Sequence, residues 1–143
     1  MPLDMSTRGA QVMRVVVEEG FSKGNLAALD TVVAPDYVEH QPGLGPNLEG
    51  FKRSIVALRA AFPDFTLTIE DLTVDGDRVW ARLRGRGTHG GLFFGRPPSG
   101  KRIEIDVLDV IRVEDGMLIE HWGVPDRFTM LEQLGLLPGS PSA

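Results

Sequence analysis

Apolar and polar residues alternate along the segment from Lys101 to Asp126, and this alternation predicts two β-strands. The two runs flank Glu114–Gly116, a sequence typical of the tight turn of a β-hairpin. Side chains at every second position of a strand share one face. In the first run this face holds Ile103, Ile105, Val107, Asp109 and Ile111. A carboxylate is thus predicted among aliphatic side chains.

The remaining hydrophobic pattern predicts helices first and strands afterwards. Apolar spacing near 3.6 residues changes to a period of two at Phe65. The predicted helices are Gly9–Glu19, Asn25–Val33, Leu48–Ala61 and Asp126–Gly135, with a short extended segment at Tyr37–His40. The predicted strands before the hairpin are Thr66–Val74 and Arg78–His89.

Helices that are segregated from strands imply an α+β fold. A curved antiparallel sheet that wraps around the N-terminal helices forms a cone, whose open end is a natural pocket. The length of 143 residues favours one domain over residues 1–143, with frayed ends at 1–7 and 138–143.

Composition excludes several classes of function. Cysteine is absent, which excludes disulfides, thiolate catalysis and Cys-ligated metals. A net charge of −5 with scattered basic residues argues against nucleic-acid binding. No apolar run approaches the ~20 residues that cross a bilayer, and the N-terminus lacks the pattern of a secretory signal. We therefore expect a cytoplasmic protein that binds no membrane.

Carboxylates and imidazoles are the remaining candidates for chemistry. The spacing of His40, His89 and His121 matches no metal-binding pattern, and no phosphate loop or nucleophilic serine motif is present. General acid–base chemistry without metal or cofactor is the class that stays open. Its predicted residues are Asp109, His121 and Asp126.

Each of these residues also has a structural alternative. Burial raises the pKa of a carboxyl group and suits Asp109 to proton transfer, but a nearby arginine or backbone amide can equally hold it. His121 either pairs with Asp109 across the hairpin or covers the core. Asp126 either orients His121 or caps the helix that follows it.

Other polar and aromatic residues are predicted at the rim of the pocket or on the surface. We expect His40 at the rim, where it contacts the substrate together with Tyr37, Phe62 and Trp122. His89 is expected to be exposed to solvent. The loop 90–100 carries Leu92, Phe93 and Phe94, which form either a lid or packing under the sheet edge. The alternating stripe of Arg82, Arg84 and Arg86 indicates a solvated face or a subunit contact.

Five short segments together resemble one known family. They are Tyr37–Pro42 (YVEHQP), Ala61–Phe65 (AFPDF), Gly87–Gly90 (GTHG), Gly95–Lys101 (GRPPSGK) and Ile119–Gly123 (IEHWG). From Val15 to Gly135 the chain is similar to the SnoaL-like polyketide cyclases, also called ester cyclases, of the NTF2-like superfamily. The resemblance implies an NTF2-like (cystatin-like) cone with a deep apolar pocket, a homodimer packed through sheet faces, and intramolecular aldol condensation without a cofactor.

The resemblance also implies which positions carry the chemistry. The pocket histidine of the family matches Asp109, which precedes Val110-Ile111-Arg112. The acid of the family follows a tryptophan directly, and this chain has Gly123 at that position. The role of the acid therefore falls to Asp109, His121 or Asp126.

We expect an enzyme that acts by proton abstraction on a small apolar carbonyl-containing molecule. Two alternatives stay open: ketosteroid-type isomerisation or epoxide hydrolysis on the same cone, and a non-catalytic binding module. An epoxide relay of Asp and Arg is disfavoured because Asp109 and Arg112 lie on opposite strand faces. The binding module predicts that no second titratable group joins Asp109 in the pocket.

Overall fold

A five-stranded sheet dominates the computed structural model, which describes residues 7–138. The strands are β1 (Val33–Glu39), β2 (Thr66–Asp75), β3 (Arg78–Thr88), β4 (Arg102–Glu114) and β5 (Met117–Pro125), in the order β1-β5-β4-β3-β2. Strands β2 to β5 form an antiparallel meander, as the alternating pattern predicts. The sheet is curved and open, and with its helices it confirms the predicted α+β class.

The β4–β5 hairpin turns at Asp115 and Gly116, which have φ values of 51° and 78°. Positive φ at both central residues is characteristic of a type I′ turn, which matches the right-handed twist of the strands. The register shifts by one residue between Val113 and Arg112, a β-bulge. Beyond this bulge Asp109 faces Gly123 and Ile111 faces His121.

Strand β1 corrects two predictions. The helix predicted over Asn25–Val33 is wrong beyond its first turn, because α2 spans only Leu26–Leu29. The chain then enters the sheet, where the Leu118 amide donates to the Val32 carbonyl. Strand β1 runs parallel to β5, so the sheet is not wholly antiparallel.

The other helices follow the sequence pattern closely. Helix α3 spans Leu48–Ala61 as predicted, and the Asn47 side chain accepts a hydrogen bond from the Gly50 amide as its N-cap. Helix α1 (Arg8–Arg14) continues as a π-helix over Val15–Ser22. Helix α4 spans Arg127–Gln133.

The core lies between the helices and the inner face of the sheet. On β4, Ile103, Ile105, Asp109 and Ile111 are buried on this face, which confirms the predicted alternation. On the outer face, Arg84 and Arg86 pair with Glu104, and Arg82 pairs with Asp71. The arginine stripe therefore lies on the outer face among carboxylates, a position that both predicted options, a solvated face and a subunit contact, share.

The chain ends are only partly described. The predicted frayed segment 1–7 lies outside the described residues except for Thr7, whose hydroxyl accepts a hydrogen bond from the Ala10 amide and caps α1. Of the predicted segment 138–143, only Pro138 is described. Within residues 7–138 no helix is long and apolar enough to cross a bilayer.

Candidate active site

A cavity of about 730 Å³ lies between helix α3 and the inner face of the sheet. Its volume is in the range of about 300–1,000 Å³ that is typical of small-molecule sites. Most of its wall is aliphatic or aromatic. Its polar side chains are Gln41, Arg53, Ser54, Asp109, His121 and Arg127.

Asp109 and His121 meet at this cavity. They belong to the neighbouring strands β4 and β5 and are diagonal neighbours on the inner face, because Asp109 faces Gly123. The His121 Nε2 lies 3.2 Å from the Asp109 Oδ1. His121 is 7% exposed and Asp109 is 5% exposed, so both residues are more than nine-tenths buried. The two central residues of the predicted site therefore share one pocket.

Glu39 completes the arrangement from the other side of the imidazole. Its Oε2 lies 2.6 Å from the His121 Nδ1, and its side chain is only 2% exposed. The Tyr37 hydroxyl and the backbone amide of Gln41 also donate hydrogen bonds to this carboxylate. Because β1 is parallel to β5, Glu39 stands directly beside His121 in the sheet. The sequence analysis missed this residue.

The two carboxylates determine the charge of His121. Burial alone lowers the pKa of this imidazole, but Asp109 and Glu39 outweigh burial and raise the pKa to about 10. His121 is therefore an imidazolium at neutral pH. Its Nδ1–H donates to Glu39 and its Nε2–H points to Asp109. Burial and the adjacent Glu39 raise the pKa of Tyr37, so its hydroxyl stays protonated.

Gly123 lies against the same site. A Cβ atom placed there would lie 2.8 Å from the Asp109 Oδ1 and would collide with the Gln41 Oε1. The Gln41 carboxamide therefore fills the space beside Asp109, where the family resemblance implies an acid. No residue with a side chain fits at position 123 while Gln41 keeps this conformation.

The structure does not bring Asp126 to the cavity. Its Oδ1 accepts a hydrogen bond from the Thr129 amide at 3.0 Å, and its Oδ2 accepts one from the Thr129 hydroxyl at 2.6 Å. These bonds hold the pKa of this exposed carboxyl below its usual range. They are the bonds of a helix N-cap, the structural alternative for Asp126.

His40 and Trp122 also lie away from the cavity. The two rings stack at 4.8 Å, and the guanidinium of Arg78 lies over Trp122. The His40 Nε2 contacts the Glu120 Oε2 at 2.7 Å. In the structure these two predicted substrate contacts belong to a polar and aromatic cluster at β5.

Tyr37 and Phe62 are buried in the core beside the cavity. Tyr37 packs edge-on against Phe51, and Phe62 packs against Phe93 and His89. The prediction that His89 is exposed is wrong, because it is only 2% exposed and its Nδ1 lies 2.9 Å from the Ser99 Oγ. The loop after His89 folds back on it, and the Gly100 amide donates to the His89 carbonyl.

The loop 90–100 supplies part of the cavity wall. Leu92, Phe93 and Phe94 line the cavity, although Leu92 and Phe94 remain 70% and 62% exposed. The amides of Gly90 and Gly91 both donate to the Ala61 carbonyl and hold the start of the loop against the end of α3. The loop therefore packs against the end of α3 and borders the cavity.

The fold and the cavity define an α+β protein of the NTF2-like type with a buried carboxylate–imidazole–carboxylate cluster. Among residues 7–138, no group of three or more His, Asp and Glu side chains is arranged to hold a metal ion. The sequence profile of the SnoaL-like polyketide cyclases matches residues 11–134. The chain belongs to this family.

Relatives and solved structures agree with this assignment. The chain is 30% identical over 139 residues to the aklanonic acid methyl ester cyclase DnrD of Streptomyces peucetius, with 92% of each chain covered. It is 28% identical over 122 residues to the nogalonic acid methyl ester cyclase of Streptomyces nogalater, with 80% of this chain and 89% of that one covered.

Among solved structures, TsrD from Streptomyces laurentii has a TM-score of 0.84 and 30% identity, with 95% of this chain and 100% of that chain covered. IdmH from Streptomyces antibioticus has a TM-score of 0.81 and 37% identity, with 90% of this chain and 99% of that chain covered.

Proposed function

We propose that this protein is a cofactor-independent cyclase that closes a ring in a small polyketide by intramolecular aldol condensation. The observation that carries the proposal is the pairing of Asp109 with His121 at the wall of a ligand-sized cavity. A buried carboxylate held beside a protonated imidazole suits proton transfer in a medium of low dielectric.

In the proposed reaction, the Asp109 carboxylate removes a proton from a carbon that lies between two carbonyl groups. The resulting enolate carbon attacks a third carbonyl of the same molecule, which forms the new carbon–carbon bond. The alkoxide then takes the proton from Asp109, and the carboxylate is restored. Substrate and product are isomers, so no co-reactant is consumed.

His121 and Glu39 support Asp109 in this mechanism. The imidazolium donates toward Asp109 and holds the carboxylate in one orientation, while Glu39 fixes the ring through Nδ1. A protonated His121 also offsets the negative charge that develops on the substrate. The presence of this second titratable group at the cavity favours an enzyme over a binding module.

The proposal is tested with the substrates after which the two relatives are named. We expect the purified protein to convert aklanonic acid or nogalonic acid, supplied as the methyl ester or as the free acid, into a cyclised product. Liquid chromatography with mass spectrometry will show a product of unchanged mass and altered retention. Heat-denatured protein serves as the control. Failure to convert all four compounds would contradict the proposed substrate class.

We also propose that two copies pair through the outer face of the sheet. Trp80, Leu108 and Val124 are 49%, 55% and 66% exposed there and lie on adjacent strands. Such an apolar patch beside charged pairs is typical of a protein contact surface.

We expect Leu108→Glu to convert this dimer into a monomer, because it places a charge in the centre of the patch. Sedimentation velocity at micromolar concentration measures the change. Val56→Glu is the matched control, since Val56 is similarly exposed, at 56%, but lies on α3. Wild-type protein that sediments as a 15.6 kDa monomer would refute the proposed dimer.

A further inference from the structure

Two arginines line the cavity from separate elements. Arg53 lies in the middle of α3, and Arg127 is the first residue of α4. Both side chains are accessible to solvent. The proposed mechanism uses neither of them.

Neither arginine has a carboxylate partner within residues 7–138, in contrast to the arginines of the outer sheet face. Arg82, Arg84 and Arg112 each pair there with one or more carboxylates. Glu49 precedes Arg53 by one helical turn, the spacing at which Glu and Arg usually pair. The Glu49 carboxylate instead lies 3.8 Å from the Lys52 Nζ. The guanidinium of Arg53 can therefore pair with an anionic group of a ligand.

The position of Arg127 is unfavourable for the helix itself. The first turn of a helix carries partial positive charge, so a cation there is repelled by the helix dipole. The N-cap Asp126 offsets this effect with its negative charge. An anionic ligand in the cavity would offset it further, because Arg127 lines that cavity.

Asp109 lines the same cavity as the two arginines. Its carboxylate and that of Glu39 stand on either side of the His121 imidazolium. The imidazolium is therefore already paired with two carboxylates, whereas Arg53 and Arg127 are paired with none of the carboxylates that the structure describes. An anionic group on a bound molecule is thus favoured at the arginines rather than at Asp109.

We infer that the substrate of this protein carries a free carboxylate, which Arg53 and Arg127 bind at the cavity wall. The planar guanidinium group matches the geometry of a carboxylate and donates two parallel hydrogen bonds to it. The inference rests on the proposed function only in taking the same cavity as the substrate site. It separates this chain from relatives that are named for methyl esters.

Binding of matched probes tests this inference. The probes are anthraquinone-2-carboxylate and naphthalene-2-carboxylate, each compared with its methyl ester and its primary amide by isothermal titration calorimetry. We expect wild-type protein to bind the acids about tenfold more tightly than the esters, and this preference to shrink as salt increases. Equal affinity for acid and ester, or no binding of either acid, would overturn the inference.

Variants test whether the preference for acids over esters depends on the two arginines. We expect Arg53→Gln and Arg127→Gln each to reduce it several-fold, and the double variant to abolish it. Arg102→Gln is the matched control, because Arg102 is exposed and does not line the cavity. A double variant that keeps the preference, or a control that loses it equally, would refute the role of Arg53 and Arg127.

The binding experiment is independent of turnover. Acid preference without conversion of any polyketide would support the inference and count against the proposed cyclase. Conversion of the methyl esters without acid preference would support the cyclase and overturn the inference. The two proposals therefore fail in different experiments.

Discussion

Asp109→Asn will lower the rate of ring closure by about 10²- to 10⁴-fold, the range attributed to proton transfer by a positioned side chain. Asparagine keeps the shape of the side chain and can still accept a hydrogen bond from His121. It cannot take a proton from carbon. We therefore expect kcat to fall with little change in KM, which steady-state kinetics on the polyketide methyl esters will show.

Two further variants show whether a loss of activity is specific to the Asp109 carboxylate. Asp106→Asn is the control for a charge change on β4, because Asp106 is exposed on the outer face and pairs with Arg84. Its turnover should match wild type. Asp126→Asn keeps an N-cap residue at the start of α4, so we expect a far smaller loss than at Asp109. A large loss at Asp126 together with normal turnover of Asp109→Asn would exchange the roles of the two carboxylates.

Local patterns account for the parts of the fold that the sequence predicts well. Strands β2 to β5 alternate at period two, and tight turns join β2 to β3 and β4 to β5. Helix α3 has a capping asparagine and an apolar stripe. Strand β1 has none of these signals. It is stabilised by pairing with β5, which lies far away in the sequence, so that its apolar start at Val33 resembled the end of a helix.

The same difference explains which site residues were found. Asp109 is visible from the sequence because it interrupts an apolar face. His121 is visible because it lies on the return strand of the same hairpin, although the bulge between Val113 and Arg112 is what brings it diagonally opposite Asp109. Glu39 depends on the parallel register of β1, which no local pattern indicates. Asp126 is accounted for by its local contacts with Thr129, and His40 by stacking on Trp122, which is distant in the sequence.

Gly123 shows how the structure changes the meaning of a sequence difference. As a departure from the family pattern, it indicates a missing acid. In the structure, the absent side chain makes room for the Gln41 carboxamide beside Asp109. Gln41 comes from a distant segment of the chain, so only the three-dimensional packing shows that it occupies this space.

The free energy of unfolding will fall as pH rises from about 6.5 to about 10, through the deprotonation of His121. The folded-state pKa of about 10 lies above the value of an unfolded histidine, about 6.5, so the native state binds the proton more tightly. The stabilisation is complete below pH ~6.5 and is lost as pH passes the folded pKa. Its upper limit is on the order of 5 kcal/mol, since one pKa unit corresponds to about 1.4 kcal/mol.

Urea titrations at a series of pH values measure this slope. Glu39→Gln removes one of the two charges that raise the His121 pKa, so its stability should change less between pH ~6.5 and ~10. Glu104→Gln is the control, because it also removes one carboxylate but lies on the outer face, where Glu104 pairs with Arg84 and Arg86. If Glu39→Gln keeps the full wild-type slope, Asp109 alone holds the proton on His121. If the wild-type protein shows no such slope, His121 is neutral, and the imidazolium has no place in the proposed mechanism.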